Sequence, residues 1–540
     1  MATLNDRLEF QETAIRSGRS SPLSRTFDPL ESQQTLFGAL LDARAKFGAK
    51  KPILEDQERN PLSYTDMIRA AFALGRKIAA MTEKGERVGV MLPASSAAIV
   101  TFFALHAFGR IPTMLNFTAG IRNLKGACKL AGVKRVLTSH RFIEQGQLHD
   151  LVDALEEVSQ VTYLEDVREK IGLADKLFAA TAGAFPKAFL AETKPDDPGV
   201  ILFTSGSFGA PKGVVLSQTN LVANVYQIAA HIPLDPDWVM FNPLPTFHCF
   251  GLTGGALLPI LTGMKAFQYP SPLHTKVIPP LLKDTKASIL LATDTFLNQY
   301  ARVAEYDELA GLKFIVCGAE KVREETHNLI RDRFGDVPVL EGYGATEAAP
   351  VIAVNKPVDN RRGTVGGLLP GMQTRLEPVP GIPGGGRFFV RGPNVMSGYL
   401  RPDGSIEPLA DGWHDTGDVV DISDDDWVTI RGRVKRFAKV GGEMVSLTAA
   451  EDLAVAVWPD SRHAVIAMPD ARKGERLVLV TDRMDAESTA LVAHAKAIGA
   501  SELNVPKKII KVPEVPVLGT GKTDYVVIQR MVEAEGRRAA

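Results

Sequence analysis

From about residue 34, apolar residues recur at helical spacing, as in Thr35-Leu36-Phe37-Gly38-Ala39-Leu40-Leu41. The pattern predicts a helix with one buried face. Short apolar runs then alternate with such segments. Arg87-Val88-Gly89-Val90-Met91-Leu92 predicts a buried strand, Ser95 to Phe108 the helix after it, and Arg135-Val136-Leu137-Thr138 the next strand. A further helix is expected over Lys321–Phe334. This alternation points to an α/β class with largely parallel sheets. After residue 360 glycine and proline become dense, as in Gly381-Ile382-Pro383-Gly384-Gly385-Gly386, and the strands look short and hairpin-like. A small β-rich, barrel-like subdomain is expected there. The basic run Arg431-Gly432-Arg433-Val434-Lys435-Arg436 then precedes a last compact segment.

At 540 residues, the chain exceeds what one hydrophobic core supports, so at least two domains are expected. The basic run sets the boundary: a large domain over 1–432 and a small one over 433–540. The small domain has 17 basic and 14 acidic residues, a net of +3 against -1 for the whole chain. Near-neutral charge gives no electrostatic case for a nucleic-acid partner. The three cysteines, Cys128, Cys249 and Cys317, form no C-x-x-C pair, which argues against a disulfide framework or a structural zinc and suits a cytoplasmic protein. Of the two most apolar stretches, Ala97–Phe108 is too short to span a bilayer, and Cys249–Met264 is broken by glycines and Pro259. No transmembrane segment is expected; peripheral membrane contact stays open.

The chemistry begins at Val200-Ile201-Leu202-Phe203-Thr204-Ser205-Gly206-Ser207-Phe208-Gly209-Ala210-Pro211-Lys212-Gly213-Val214-Val215-Leu216-Ser217. A strand runs into hydroxyls, glycines and a lysine, then into a second strand. Glycines let the backbone approach an anion, and successive N–H groups form a concave anion nest. Thr204, Ser205 and Ser207 add hydroxyls and Lys212 a compact charge. This is not a Walker loop, because Gly213 and a strand follow the lysine. A ligand-free glycine hairpin is the plain alternative. The G-x-S-x-G elbow of serine hydrolases occurs nowhere.

The segment resembles the phosphate-binding loop of the adenylate-forming superfamily of acyl-CoA synthetases, peptide-synthetase adenylation domains and luciferase, except that Phe208 stands where Thr or Glu is usual. The resemblance implies a large α/β domain, a small mobile α+β domain, and ATP with Mg²⁺ as cofactors. Within it, Gly206, Ser207, Gly209 and Lys212 join Thr204 and Ser205 around the phosphates. Gly342-Tyr343-Gly344-Ala345-Thr346-Glu347 is similar to the adenylate motif: Tyr343 against adenine, Thr346 on the phosphate, Glu347 the magnesium carboxylate. Gly318, Ala319 and Glu320 resemble the adenine-pocket strand end. Asp418, in Trp413-His414-Asp415-Thr416-Gly417-Asp418, and Arg433 resemble the ribose contacts. Lys435 falls at the hinge, Gly442 at the pantetheine tunnel, and Lys522, in Val517-Leu518-Gly519-Thr520-Gly521-Lys522, at the catalytic lysine. Thr346, Glu347 and Lys522 are thus candidate catalytic residues.

Pro243-Leu244-Pro245-Thr246-Phe247-His248-Cys249-Phe250-Gly251-Leu252 resembles the segment flanking the acyl pocket. His248 in this apolar setting, where amino-acid activators carry aspartate, favours an aliphatic or aromatic acid and is a further catalytic candidate; a core histidine is the alternative. Longer runs, Leu115–Gly120, Tyr269–His274 and Arg436–Ser446, resemble the ligase half of the bifunctional acyl-[acyl carrier protein] synthetase/2-acylglycerophosphoethanolamine acyltransferases. That implies a fatty acid substrate and acyl carrier protein as thiol acceptor. CoA, as in a plain medium- or long-chain acyl-CoA synthetase, stays open, as does a degenerate binder without turnover. An H-x4-D match, His327 to Asp332, resembles the acyltransferase signature, but helical geometry puts its side chains on different faces.

Overall fold

The computed structural model describes residues 26–205, 211–380, 382, 385–440, 443–470, 474–517 and 523–538, without the side chains of Ser205, Lys435 and 536–538. Two large sheets organise the bulk of the chain. In one, the strands Arg87–Val90, Ile111–Met114, Arg135–Thr138, Gln160–Tyr163 and Pro198–Ser205 run parallel. Pro211–Ser217, Gly398–Leu400 and Ile406–Glu407 extend it antiparallel at one edge, for eight strands in all. In the other, of nine strands, Pro52–Asp56, Lys265–Gln268, Val239–Asn242, Ile289–Ala292, Phe314–Cys317 and Val339–Gly344 form a parallel centre. The alternation read from the sequence holds.

One core lies between these sheets, and strand period decides which residues join it. Val200, Leu202, Val214 and Leu216 face this core, whereas Ile201 and Val215 face a second cluster with Leu124, Cys128 and Leu155. The helix Ser96–Ala107 lies almost wholly inside the first core, which explains its lack of a polar stripe. The glycines of 249–264 do not break a helix: π-helical turns over Phe250–Leu257 run directly into Leu258–Thr262. They seat it instead. A Cβ at Gly251 would lie 2.3 Å from the Pro245 carbonyl oxygen, and one at Gly255 2.1 Å from the Asn242 amide carbon. The helix expected from Lys321 starts at Glu324, because tertiary acceptors take the preceding amides. Val322 N–H donates to Glu341 Oε2 (3.0 Å) and Arg323 N–H to Asp294 Oδ1 (3.1 Å). On that helix His327 is buried and Asp332 exposed, so the H-x4-D pair forms no site.

The glycine- and proline-rich stretch forms a four-stranded antiparallel sheet, Gln373–Glu377, Gly386–Arg391, His414–Ile422 and Val428–Arg433. After the short turn Val434–Arg436 a separate sheet begins. Its antiparallel strands Glu443–Ser446, Phe437–Val440, Gly474–Thr481 and His463–Asp470 are joined by Lys508–Lys511, parallel to Gly474–Thr481. Strand alternation again builds two cores: Val465, Leu477 and Leu479 pack under the helices Leu447–Val457 and Ser488–Ala497, while Ile466, Val478 and Val480 pack under Ile528 and Val532. The architecture is thus a large α/β domain followed by a smaller, mainly antiparallel one. No helix among the described residues is long and apolar enough to cross a membrane.

One buried histidine of the large domain, His106, and one half-buried, His231, carry an acid-sensitivity. Burial pushes His106 and His231 from 6.5 down to about 4; His231 Nε2 also lies 2.9 Å from the Val354 carbonyl. Between those values the unfolded chain binds protons that the native chain refuses. Stability is therefore lost as pH falls from about 6.5 to about 4. Each imidazole costs roughly 2 kcal/mol of stability by pH 5. The urea midpoint is expected to drop between pH 7 and pH 5, and less so in His106→Leu; an unchanged drop in that variant would exclude His106 as a source.

Candidate active site

The hairpin Pro198–Ser205/Pro211–Ser217 places Lys212 opposite Thr204 at its head. Gly206, Ser207, Phe208 and Gly209 between the strands lie outside the described residues, as do Gly442 and Lys522. Lys212 is exposed, and its Nζ stands 5.0 Å from the centroid of the Tyr399 ring. Tyr399 enters through a long-range pairing, because its strand lies beside the hairpin with Tyr399 opposite Val214. Its Oη donates to Glu347 Oε1 at 2.9 Å. Burial raises the Tyr399 phenol well above its ordinary value, so the hydroxyl stays a donor at neutral pH. Glu347 is further held by its own carbonyl, which accepts from Met396 N–H at 2.8 Å.

The second cluster forms where the parallel strand Val339–Gly344 meets the four-stranded sheet. Asp418 and Arg433 are cross-strand partners, which brings Arg433 Nε to 2.8 Å from Asp418 Oδ1. Tyr343 Oη donates to Asp418 Oδ2 at 2.5 Å, and both residues are buried. Burial first, and then the Asp418 charge, holds the Tyr343 phenol well above its usual range. Thr416 Oγ1 shapes the approach, donating to the Phe388 carbonyl (2.8 Å) and accepting from Asp418 N–H (3.1 Å). Gly344 permits the sharp exit toward half-buried Thr346, since a Cβ there would sit 2.3 Å from the Pro350 oxygen. His414, two residues before Thr416, is buried with its imidazole pushed down by that burial while the Glu347 charge opposes.

Strand Phe314–Cys317 lies next to Val339–Gly344, so Gly318, Ala319 and Glu320 emerge beside Tyr343. Ala319 holds a left-handed φ of 71°, uncommon for a residue with a Cβ and a mark of local backbone strain. Burial raises the Glu320 carboxyl, whose Oε2 accepts from Thr295 N–H (3.1 Å) and Oγ1 (2.9 Å). Arg462, from the small domain, donates to the same Thr295 Oγ1 at 3.3 Å. Lys321 pairs with Asp452 at 3.0 Å, so both domains meet at this strand end. Half-buried His248 sits on the neighbouring segment, its N–H bonded to the Pro245 carbonyl (3.1 Å) and its ring 5.3 Å from Phe247. The Phe250 ring lies against Gly318, 3.2 Å from where a Cβ would stand.

Thr204, Lys212, Glu347, Tyr343, Asp418, Arg433 and the 318–320 turn thus line one end of the two sheets. An exposed cation, a carboxylate at the end of a phenol, and an acid–guanidinium pair suit a polyanion with a vicinal diol. No thiol nucleophile competes. All three cysteines are buried, which pushes Cys128 to about 11, Cys249 to about 12 and Cys317 well above its ordinary value. Sequence reasoning missed Tyr399, His414 and the Thr295–Arg462 contact. His414 stood inside a quoted motif; the other two depend on pairings between distant segments.

A family model described as AMP-binding enzyme matches residues 41–400. Among curated proteins, the chain is 28% identical to 4-coumarate–CoA ligase 2 of Oryza sativa subsp. japonica over 431 residues, 72% of this chain and 73% of that one. It is 26% identical to long-chain-fatty-acid–CoA ligase of Salmonella typhimurium over 497 residues, 84% of this chain and 86% of that one. Among solved structures, ATP-bound MatB from Rhodopseudomonas palustris shares the fold, with a TM-score of 0.78, 24% identity and coverage of 92% and 99%.

Proposed function

The chain belongs to the AMP-binding enzyme family, and from that premise we propose that it activates a fatty acid with ATP and passes the acyl group to a thiol. The first step makes acyl-AMP and releases pyrophosphate. The second forms a thioester on acyl carrier protein or CoA and releases AMP. The single observation that carries this reading is the convergence of Lys212, Glu347 and the Tyr343–Asp418–Arg433 cluster at one end of the sheets.

The residues divide the work as follows. The 204–213 backbone, Thr204, Ser205, Gly206, Ser207, Gly209 and Lys212 hold the phosphates. Tyr343 and the Gly318–Ala319–Glu320 turn take adenine. An ionised carboxylate has about four lone-pair sites; Arg433 and Tyr343 use two on Asp418, leaving two for the ribose hydroxyls. Thr346 and Lys522 meet the α-phosphate, and His248 borders the acyl chain. Among the described residues no cluster of three acidic, histidine or cysteine ligands could hold a metal alone. Glu347 fits Mg²⁺ nonetheless, because that ion uses one or two carboxylates together with substrate phosphates. Bound there, it would neutralise charge on the triphosphate. Lys435 is the pivot between a domain over 1–432 and one over 433–540, and Gly442 borders the thiol path.

A carboxylate attacking a polyanion concentrates negative charge, so positioned cations and N–H dipoles are what this chemistry needs. The names of the curated relatives favour CoA as acceptor; the subgroup resemblance and the +3 small domain favour an acidic carrier protein. A binder without turnover is the second reading, and Phe208 in the phosphate loop is what favours it. The decisive test is acid-dependent ATP–pyrophosphate exchange over a fatty-acid panel, followed by thioester assays with CoA and with holo-acyl carrier protein in parallel. Exchange is expected with aliphatic acids. A complete lack of exchange with every acid would overturn the enzyme reading.

A further inference from the structure

We propose that Tyr399 is a positioning residue that keeps Lys212 and Glu347 apart and aligned for a metal-bound triphosphate. The inference rests on the nucleotide-site reading above and adds a residue to it. Tyr399 touches both groups at once: the Lys212 ammonium stands 5.0 Å over its ring, and its hydroxyl donates to Glu347 Oε1 at 2.9 Å. A lysine and a glutamate this close to one side chain would ordinarily pair and cancel. Among the described residues Lys212 forms no ion pair, and Glu347 Oε2 accepts no hydrogen bond. The phenol engages each of them separately. Its ring face attracts the ammonium through the quadrupole, and its hydroxyl fixes one carboxylate oxygen. Each charge therefore keeps capacity for a ligand: the ammonium for a phosphate oxygen, and Oε2 for the cation that the phosphates carry.

The placement is rigid. Tyr399 lies in a strand hydrogen-bonded beside Pro211–Ser217, so it moves with the lysine-bearing strand. Glu347 is tied to the same connection by its carbonyl, through Met396 N–H at 2.8 Å.

The test is equilibrium ATP binding to the full-length protein by calorimetry, once in EDTA and once in saturating Mg²⁺. Tyr399→Phe keeps the ring and loses the hydroxyl. It is expected to reduce the Mg²⁺-dependent gain in ATP affinity roughly ten-fold, the size of one charge-assisted hydrogen bond. Affinity in EDTA should stay within about two-fold. Tyr399→Leu loses both contacts and is expected to weaken binding in both arms. Thermal melts of the free proteins establish that the variants are folded. A Tyr399→Phe protein with the full wild-type gain from Mg²⁺ would overturn the positioning role. A wild-type protein that binds no ATP in either arm would instead overturn the nucleotide-site reading on which the role depends.

Discussion

Replacing Lys522 with alanine is expected to slow acid-dependent ATP–pyrophosphate exchange by about a hundred- to a thousand-fold, the usual cost of removing one preorganised donor to transition-state charge. Thioester formation from supplied acyl-adenylate is expected to survive, because that step has already lost pyrophosphate. The loop that carries Lys522 starts and ends on fixed supports. Val517 and Thr523 form an isolated antiparallel bridge around it, Val515 is buried before it, and Tyr525 is hydrogen-bonded to Glu451 after it. The family resemblance puts Lys522 between these supports as the lysine that meets transition-state charge. The measurement is radiolabelled pyrophosphate exchange alongside single-turnover transfer from acyl-AMP. Equal loss in both half-reactions would remove Lys522 from adenylation and make it a general structural residue.

The parts legible in the sequence were those in which local pattern and tertiary structure agree. Arg135–Thr138 is a strand and Ser96–Ala107 a helix because their hydrophobic runs are buried where they stand. The hairpin around Lys212 was legible for the same reason, since both of its strands are apolar and only its tip is not. What escaped was set by partners far along the chain. Nothing local shows that Glu341 and Asp294 will take the amides of Val322 and Arg323, and so delay a helix by one turn. Nothing near Gly398–Leu400 says that its strand will lie beside Pro211–Ser217, and Tyr399 became visible only with that pairing. The site motifs show the same division. Asp418 and Arg433 could be named together, yet the Tyr343 hydroxyl that completes their cluster follows from a contact between two sheets. Glycines misled where they were taken as breaks: Gly251 and Gly255 admit close neighbours to a continuous helix.

Glu451→Ala is expected to cost about 3–5 kcal/mol, the range for stripping one partner from a buried ion pair, and to abolish exchange by unfolding the domain that carries Lys522. Glu451 and Arg436 are both largely buried, with 12% and 16% of their side chains exposed, and their pair closes at 2.6 Å. Burial raises the Glu451 carboxyl while the Arg436 charge opposes it, so the ionised form depends on its neighbours. Val465 N–H (2.7 Å) and Tyr525 Oη (3.1 Å) also donate to it, and the Arg436 guanidinium lies 3.9 Å from the Tyr525 ring centroid. The alanine variant leaves that guanidinium buried without a counter-charge. Hydrogen exchange should then rise across 437–538 while the large domain keeps its protection; unchanged protection in the small domain would refute the argument. Glu451→Gln, which keeps the volume and one acceptor, should lose less. The position of the cluster gives the result a mechanical meaning. Arg433 is tied to Asp418 on the large domain and Arg436 to Glu451 on the small one. Only Val434 and Lys435 lie between the two anchors, so the hinge proposed at Lys435 would have two residues in which to turn, and a loosened Glu451 cluster would spread that pivot into the small domain itself.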